Sequence, residues 1–193
     1  MDTNIYSAPE AELHTESTEE FDFYVVSSAK FWVMNLGTMG LYSVYWFYRQ
    51  WREYKRASGE SLWPVMRAIF SIFFTHSLFI KIQSHLEEAK IEYKWRPKLM
   101  AAIYIVLAIL GSIIDRISYL SDEFSLIDIF SPALLPLTVW PLFEGQKAAN
   151  TLSGDISGKV NAKLTLLNFL WLGVGALLWA IVVFGAYIVI SGE

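Results

Sequence analysis

The chain has 193 residues, no cysteine, a formal net charge of −4 and 54% hydrophobic residues, above the roughly 45–50% of soluble domains. The missing cysteines exclude a disulfide scaffold and thiolate zinc sites. The charge is uneven: Asp2, Glu10, Glu12, Glu16, Glu19, Glu20 and Asp22 stand in residues 1–29 without a single Lys or Arg, which leaves a mildly basic remainder and no concentrated basic face for nucleic acid.

Several apolar runs reach about 18 residues, the length that crosses a hydrocarbon core of about 30 Å. The expected fold class is therefore an all-α integral membrane protein. It combines a small bundle of three transmembrane helices with a re-entrant or interfacial aromatic helical hairpin and an amphipathic helix.

In chain order, residues 1–29 come first. "MDTNIYSAPEAELHTESTEE" is rich in Ser, Thr, Glu and Ala and has no apolar period. Such a stretch cannot bury enough surface to offset the entropy of ordering, so a disordered acidic tail is expected. It also lacks the basic start and apolar stretch of a secretory leader.

The membrane domain is expected over residues 30–193. Residues 31–48, "FWVMNLGTMGLYSVYWFY", would reach about 27 Å as one straight helix, barely a span. Asn35, Gly37, Thr38 and Gly40 weaken a helix where a spanning one should be most apolar. Aromatic residues then fill the second half instead of one headgroup level. A hairpin explains all of this: a short helix descends, the glycines turn the chain, and an aromatic helix climbs back. The turn would need protein around it, because irregular backbone is not tolerated against lipid. Residues 30–57 are thus a re-entrant hairpin, or alternatively a span, followed by a basic helix. Its Arg49, Arg52, Lys55 and Arg56 are candidate contacts for lipid headgroups.

Residues 62–96 are expected to form an amphipathic helix, with Ser61 as N-cap and Pro64 in the tolerated first turn. Arg67, Ser71, Thr75, Lys81 and His85 fall on one stripe, interrupted by Phe74, Leu78 and Ile82. Lying in the interface or against other helices, with that stripe toward water or headgroups, fits better than spanning, because a central Arg costs about 2.5–3.5 kcal/mol. Arg67 is accordingly a further candidate headgroup contact. The mixed-charge end, "QSHLEEAKIEYKWRPK", reads as a solvated face stopped by Pro97.

Three transmembrane helices are expected at residues 99–120, 125–143 and 164–190, the last about 40 Å long and so bound to tilt or protrude. Asp115 and Arg116 near the end of the first, and Asp128 at the start of the second, form a candidate intramembrane polar cluster. It would be an interhelical clamp or an ion entrance. Pro132, Pro136 and Pro141 each free a helical carbonyl. Ala108 with Ser112, and Ala176 with Ala180, have the small-residue spacing that allows close helix approach. With the hairpin, a cytoplasmic N-terminus and a periplasmic C-terminus place every basic cluster inside; a simple span with an external acidic tail satisfies the same rule.

No P-loop, zincin, nucleophile-elbow or dinucleotide motif is present. Of three histidines, His14 lies in the tail and His76 lies opposite the polar stripe. His85 and Glu88 are one turn apart, too few for a metal on their own. No catalytic residue, cofactor or metal is expected. A non-enzymatic scaffold or accessory protein that binds membrane lipids, another membrane protein or a second copy fits best; a small oligomeric channel or transporter subunit is the alternative.

"KFWVMNLGTMGLYSVYWFYRQW", then "WPVMRAIFSIF" and "GQKAANTLSG", resemble a bacterial family of small inner-membrane proteins. Its core reads Thr-x-Gly-x-Tyr-x-x-Tyr-Trp-Phe-Tyr with a downstream Arg-Ala. The leader "NIYSAPEAEL" is similar to the Asn-Pro-Tyr-x-Ala-Pro tails of many bacterial multi-pass proteins, with Ile5 where Pro is common. The resemblance covers most of residues 23–152. It implies a bacterial inner-membrane location, multi-pass, and carries over no activity and no site residue.

Overall fold

The computed structural model describes residues 23–120 and 131–191. Residues 1–22 of the acidic tail, the "SDEF" loop and Asp128 lie outside them. Seven α-helices account for most of the described residues, with no strand among them: α1 (Ser28–Gly37), α2 (Leu41–Ser58), α3 (Pro64–Ile69), α4 (Ser71–Glu88), α5 (Pro97–Leu120), α6 (Leu135–Leu152) and α7 (Leu166–Ser191). Short 3-10 turns at Ser131–Leu134 and Lys159–Asn161 lead toward α6 and α7.

The residues that weaken a helix at "NLGTMG" are the ones that close a turn. Met39 and Gly40 take positive φ of 49° and 84°, the region glycine enters freely. The Thr38 hydroxyl donates to the Met34 carbonyl (2.7 Å) and accepts from the Tyr42 amide (3.0 Å). Asn35 Oδ1 accepts from the Ser43 hydroxyl (2.7 Å) and the Asn35 carbonyl from the Gly40 amide (2.8 Å). Side chains thereby satisfy groups that a helix end leaves orphaned. Residues 31–48 are two helices joined by a tight turn, not one straight rod.

Protein covers this turn. A Cβ on Gly175 of α7 would collide with the Gly37 carbonyl and Thr38 Cα, so the two backbones touch. Trp179 Nε1 donates to the Leu36 carbonyl at 2.8 Å. The contact face of α7 is therefore Leu172, Gly175 and Trp179. The expected small-residue face misses it, since Ala176 and Ala180 are exposed, as is Ser112 on α5.

The single amphipathic helix expected over residues 62–96 is corrected. It breaks at Phe70 into α3 and α4, and helical structure stops at Glu88, where Lys90 at φ 55° redirects the chain. The expected orientation is also reversed. The Arg67 guanidinium lies 4.2 Å from the Trp51 ring, Ser71 meets the Tyr104 hydroxyl at 3.1 Å, Thr75 is buried, and Lys81 donates to Tyr54 and Glu60. The polar stripe thus points at α2 and α5, while Trp63, Met66, Ile69, Phe70 and Phe73 are exposed. Polar groups that find partners inside need no water outside.

Phe31, Met34, Trp46, Phe47, Trp51, Leu78, Phe79, Ile82 and Leu142 form the centre of the core. The stretch expected to span at residues 125–143 is also redrawn where it is described. Its helix starts at Leu135 and runs on to Leu152, burying Val139, Leu142, Gly145, Gln146, Ala148 and Ala149. Gly145 leaves room for the Phe79 ring. Two helices among the described residues, α5 and α7, are long and apolar enough to cross a membrane, and only 11% and 6% of their most apolar windows are buried. A soluble core helix would be mostly enclosed. These two turn much of their apolar surface outward.

Candidate functional site

The chain enters the described region as an extended segment, residues 23–27, with Phe23, Tyr24, Val26 and Ser27 buried. This corrects the expectation that disorder extends to residue 29. A buried extended backbone needs partners for every N–H and C=O, and no strand lies beside it among the described residues. Carboxamide side chains do the work. Gln50 accepts from the Tyr24 amide and donates to its carbonyl (both 3.1 Å), and Gln146 donates to that carbonyl as well (2.9 Å). Asn150 accepts from the Val26 amide (3.3 Å) and donates to the Val26 carbonyl (3.0 Å). Asn161 donates to the Val25 carbonyl (3.0 Å) and the Tyr24 hydroxyl (2.8 Å).

These amides also bond to one another. Gln146 donates to Asn150 (2.6 Å) and accepts from Gln50 (3.0 Å) and from Trp46 Nε1. The ladder gathers α1, α2, α6 and the loop before α7 at one end of the molecule. Sequence reading passed over Gln50, Gln146, Asn150 and Asn161. The available signal was the i, i+4 pair Gln146 and Asn150 inside an otherwise apolar helix.

Basic groups collect at the same end. Lys30 donates to Asn161 Oδ1 (2.7 Å) and the Lys163 carbonyl (2.8 Å); burial, with Arg49 nearby, pulls its ammonium below the ordinary lysine value. Arg49 lies 4.5 Å from the Tyr24 ring centre and donates to Tyr45 Oη and Glu53 Oε1 (3.0 Å each). The buried Glu53 carboxylate also faces Arg52 at 3.8 Å and Arg56 at 3.3 Å. One carboxylate therefore serves three guanidiniums. The side chains of Arg52 and Arg56 remain 51% and 68% exposed, so both can turn toward another anion.

The candidate headgroup residues thus divide. Arg49, Arg52 and Arg56 come together around Glu53, and Lys55 is exposed on the same helix. Arg67 is taken up by Trp51 and Phe74, 4.2 and 5.1 Å away. A separate tie joins α2 to α4: Tyr54 donates to Glu60, and Lys81 bonds to both. The Tyr54 hydroxyl and then Lys81 hold the Glu60 carboxyl below its ordinary value.

From the arginines a groove of about 1100 Å³ runs over α2. Its floor is the outward stripe Leu41, Val44, Tyr45, Tyr48, Arg49, Arg52 and Arg56. One wall is Val65, Ala68 and Ile69 of α3; the other is Leu167 and Trp171 of α7, with Val160 and Asn161 before it. Along α2 the floor changes from apolar at Leu41 to cationic at Arg52 over eleven residues, about 16 Å at 1.5 Å per residue. That distance is close to one leaflet, half of a hydrocarbon core of about 30 Å. The groove can accept an amphiphile whose charge lies at one end.

Asp115 and Arg116 are exposed on α5, with Arg116 5.4 Å from the Tyr119 ring; Asp128 lies outside the described residues, so their meeting is not among the contacts. His85 Nδ1 and Glu88 Oε2 are 2.9 Å apart, and no group of three or more His, Cys, Asp or Glu among the described residues is arranged to hold a metal. Compared with family models, curated proteins and solved structures, the chain matches none.

Proposed function

We propose that the protein is a non-enzymatic scaffold or accessory protein that binds lipid or another membrane protein, in a bacterial inner membrane as the resemblance of its aromatic core implies. The observation that carries this is the separation of the molecule into a polar, amide-bonded end and a body whose longest helices expose apolar side chains. In this reading α5 and α7 span the bilayer. Both begin beside the amide-rich end, α5 after Lys94, Trp95 and Arg96 and α7 after Lys159 and Lys163, so that end is cytoplasmic. Two helices running the same way require a return between them, and α6 ends where the return must end.

The α1–α2 and α3–α4 pairs enter from the cytoplasmic side and turn back. The first turn rests on α7 at Gly175, nine residues beyond Leu166 and so about 13 Å along that helix. Such depth is tolerated because α7 covers the turn. The exposed Ile69, Phe70 and Phe73 at the second break fit acyl chains rather than water. Neither pair crosses, so the N-terminus stays cytoplasmic and the C-terminus is periplasmic.

Labelling intact cells with an impermeant thiol reagent tests this, using cysteines placed at Ser17 and Ser191 of the otherwise cysteine-free chain. Reaction at Ser191→Cys alone is expected; reaction at both positions replaces the hairpin with a crossing. Liposomes holding the purified protein are expected to show no solute flux. Flux abolished by Asp128→Asn would instead support a channel or transporter subunit.

A further inference from the structure

The groove over α2 has a more specific consequence, which rests on the membrane reading above. We propose that it binds one anionic phospholipid, with the phosphate on Arg52 and Arg56 and an acyl chain along Leu41, Val44 and Ile69. Three observations converge on this occupant.

The first is charge. Among the described residues, Lys30, Arg49, Arg52 and Arg56 line the cationic end together with only Glu53 and Asp155. Glu53 is already shared by three arginines. Asp155 is engaged by the Val160 amide (2.9 Å), which, with other local donors, holds its carboxyl below the ordinary value. The local excess is positive, and guanidiniums recognise phosphate oxygens in bidentate fashion.

The second is the gradient. An anion alone needs only the arginines, and a neutral hydrocarbon only the floor. The groove offers both, one leaflet apart, on a single helix face. The third is access. Leu41, Val44, Val65, Ile69, Leu167 and Trp171 along it are 45–60% exposed, so the apolar part opens sideways between α3 and α7, in the direction where the bilayer lies. A lipid can enter from its leaflet without leaving the membrane, its headgroup staying level with the other cytoplasmic basic residues.

The test is native mass spectrometry of the full chain in mild detergent, with dioleoyl phosphatidylglycerol or dioleoyl phosphatidylcholine added. One phosphatidylglycerol per chain should be retained about tenfold or more in preference to phosphatidylcholine, whose choline cancels the charge that the two guanidiniums attract. R52Q/R56Q changes two exposed side chains and should remove the preference while leaving the thermal transition in place. Val44→Trp, which fills the floor, should reduce retention of both lipids.

Equal retention of the two lipids, or an undiminished preference in R52Q/R56Q, overturns the proposal. So does a full chain that binds no phosphatidylglycerol while the chain lacking residues 1–22 does, which makes the acidic tail the occupant. A lipid-free dimer as the dominant species makes a second copy the occupant. A protein that passes the labelling test yet shows no lipid preference refutes this inference alone and leaves the topology standing.

Discussion

Helices α6 and α7 are both apolar and both contain glycine, yet they lie in opposite environments. In α6, Val139, Leu142, Ala148 and Ala149 are at or below 1% exposure, and Gln146 and Asn150 carry the amide ladder. In α7, Leu177, Ile181, Val183 and Phe184 are more than 60% exposed, and Gly175 is the one buried residue. The difference separates two meanings of hydrophobicity. One helix is apolar because from Val139 to Leu152 it packs into the protein, and it contains the few polar groups the core needs. The other leaves its apolar side chains exposed, and the specific contacts described for it lie where the α1–α2 turn touches it.

The sharpest break of this comparison is a matched pair of truncations. Leu142→Ala leaves a cavity in the core and is expected to cost about 2–5 kcal/mol, whereas Leu177→Ala on α7 should stay within about 0.5 kcal/mol. Thermal unfolding followed by circular dichroism in one detergent measures both; equal losses would abolish the distinction.

The polar content of α6 comes next. Gln146→Leu strands the buried Trp46 Nε1–H and removes a donor from the Tyr24 carbonyl, with an expected loss of about 2–3 kcal/mol. Hydrogen exchange should rise at residues 23–27. A fall in melting temperature without that local exchange would show that the ladder does not hold the segment.

Gly175→Val tests the backbone-to-backbone contact of α7 with the α1–α2 turn. Its side chain cannot fit against the Gly37 backbone, and overpacking of this kind costs about 1–3 kcal/mol. The same substitution at Gly173, where a Cβ meets open space, should lack that packing penalty.

The smallest effect is the pH response of the α2–α4 tie. Because Glu60 is held below its ordinary value, the tie contributes fully above pH about 4.3 and is lost as the pH falls through the lower folded value. Glu60→Gln should remove that acid-limb dependence from the melting temperature, by no more than the about 0–1 kcal/mol of an exposed ion pair.

Legibility in the sequence follows the range of the interactions. The break at "NLGTMG" could be read because glycine and short polar side chains act within a few residues, as in the Thr38 and Asn35 bonds. The cationic cluster could be read because Arg49, Arg52 and Arg56 recur at helical spacing around Glu53. The reversed stripe on α3 and α4 could not, because a helical period identifies a polar face without saying whether water or another helix lies against it. The amide ladder was also out of reach, since Tyr24 and Gln146 are 122 positions apart.

By itself the sequence determined an all-helical chain, the apolar length of α5 and α7, the helix-weakening residues at 35–40 and the basic end of α2. All are consequences of local composition and periodicity. Only the tertiary structure decided that residues 23–27 are core, that α6 is enclosed while α7 is exposed, and that α2, α3 and α7 leave a groove between them. Each of those depends on which surfaces meet, and that is settled by partners far away in the chain.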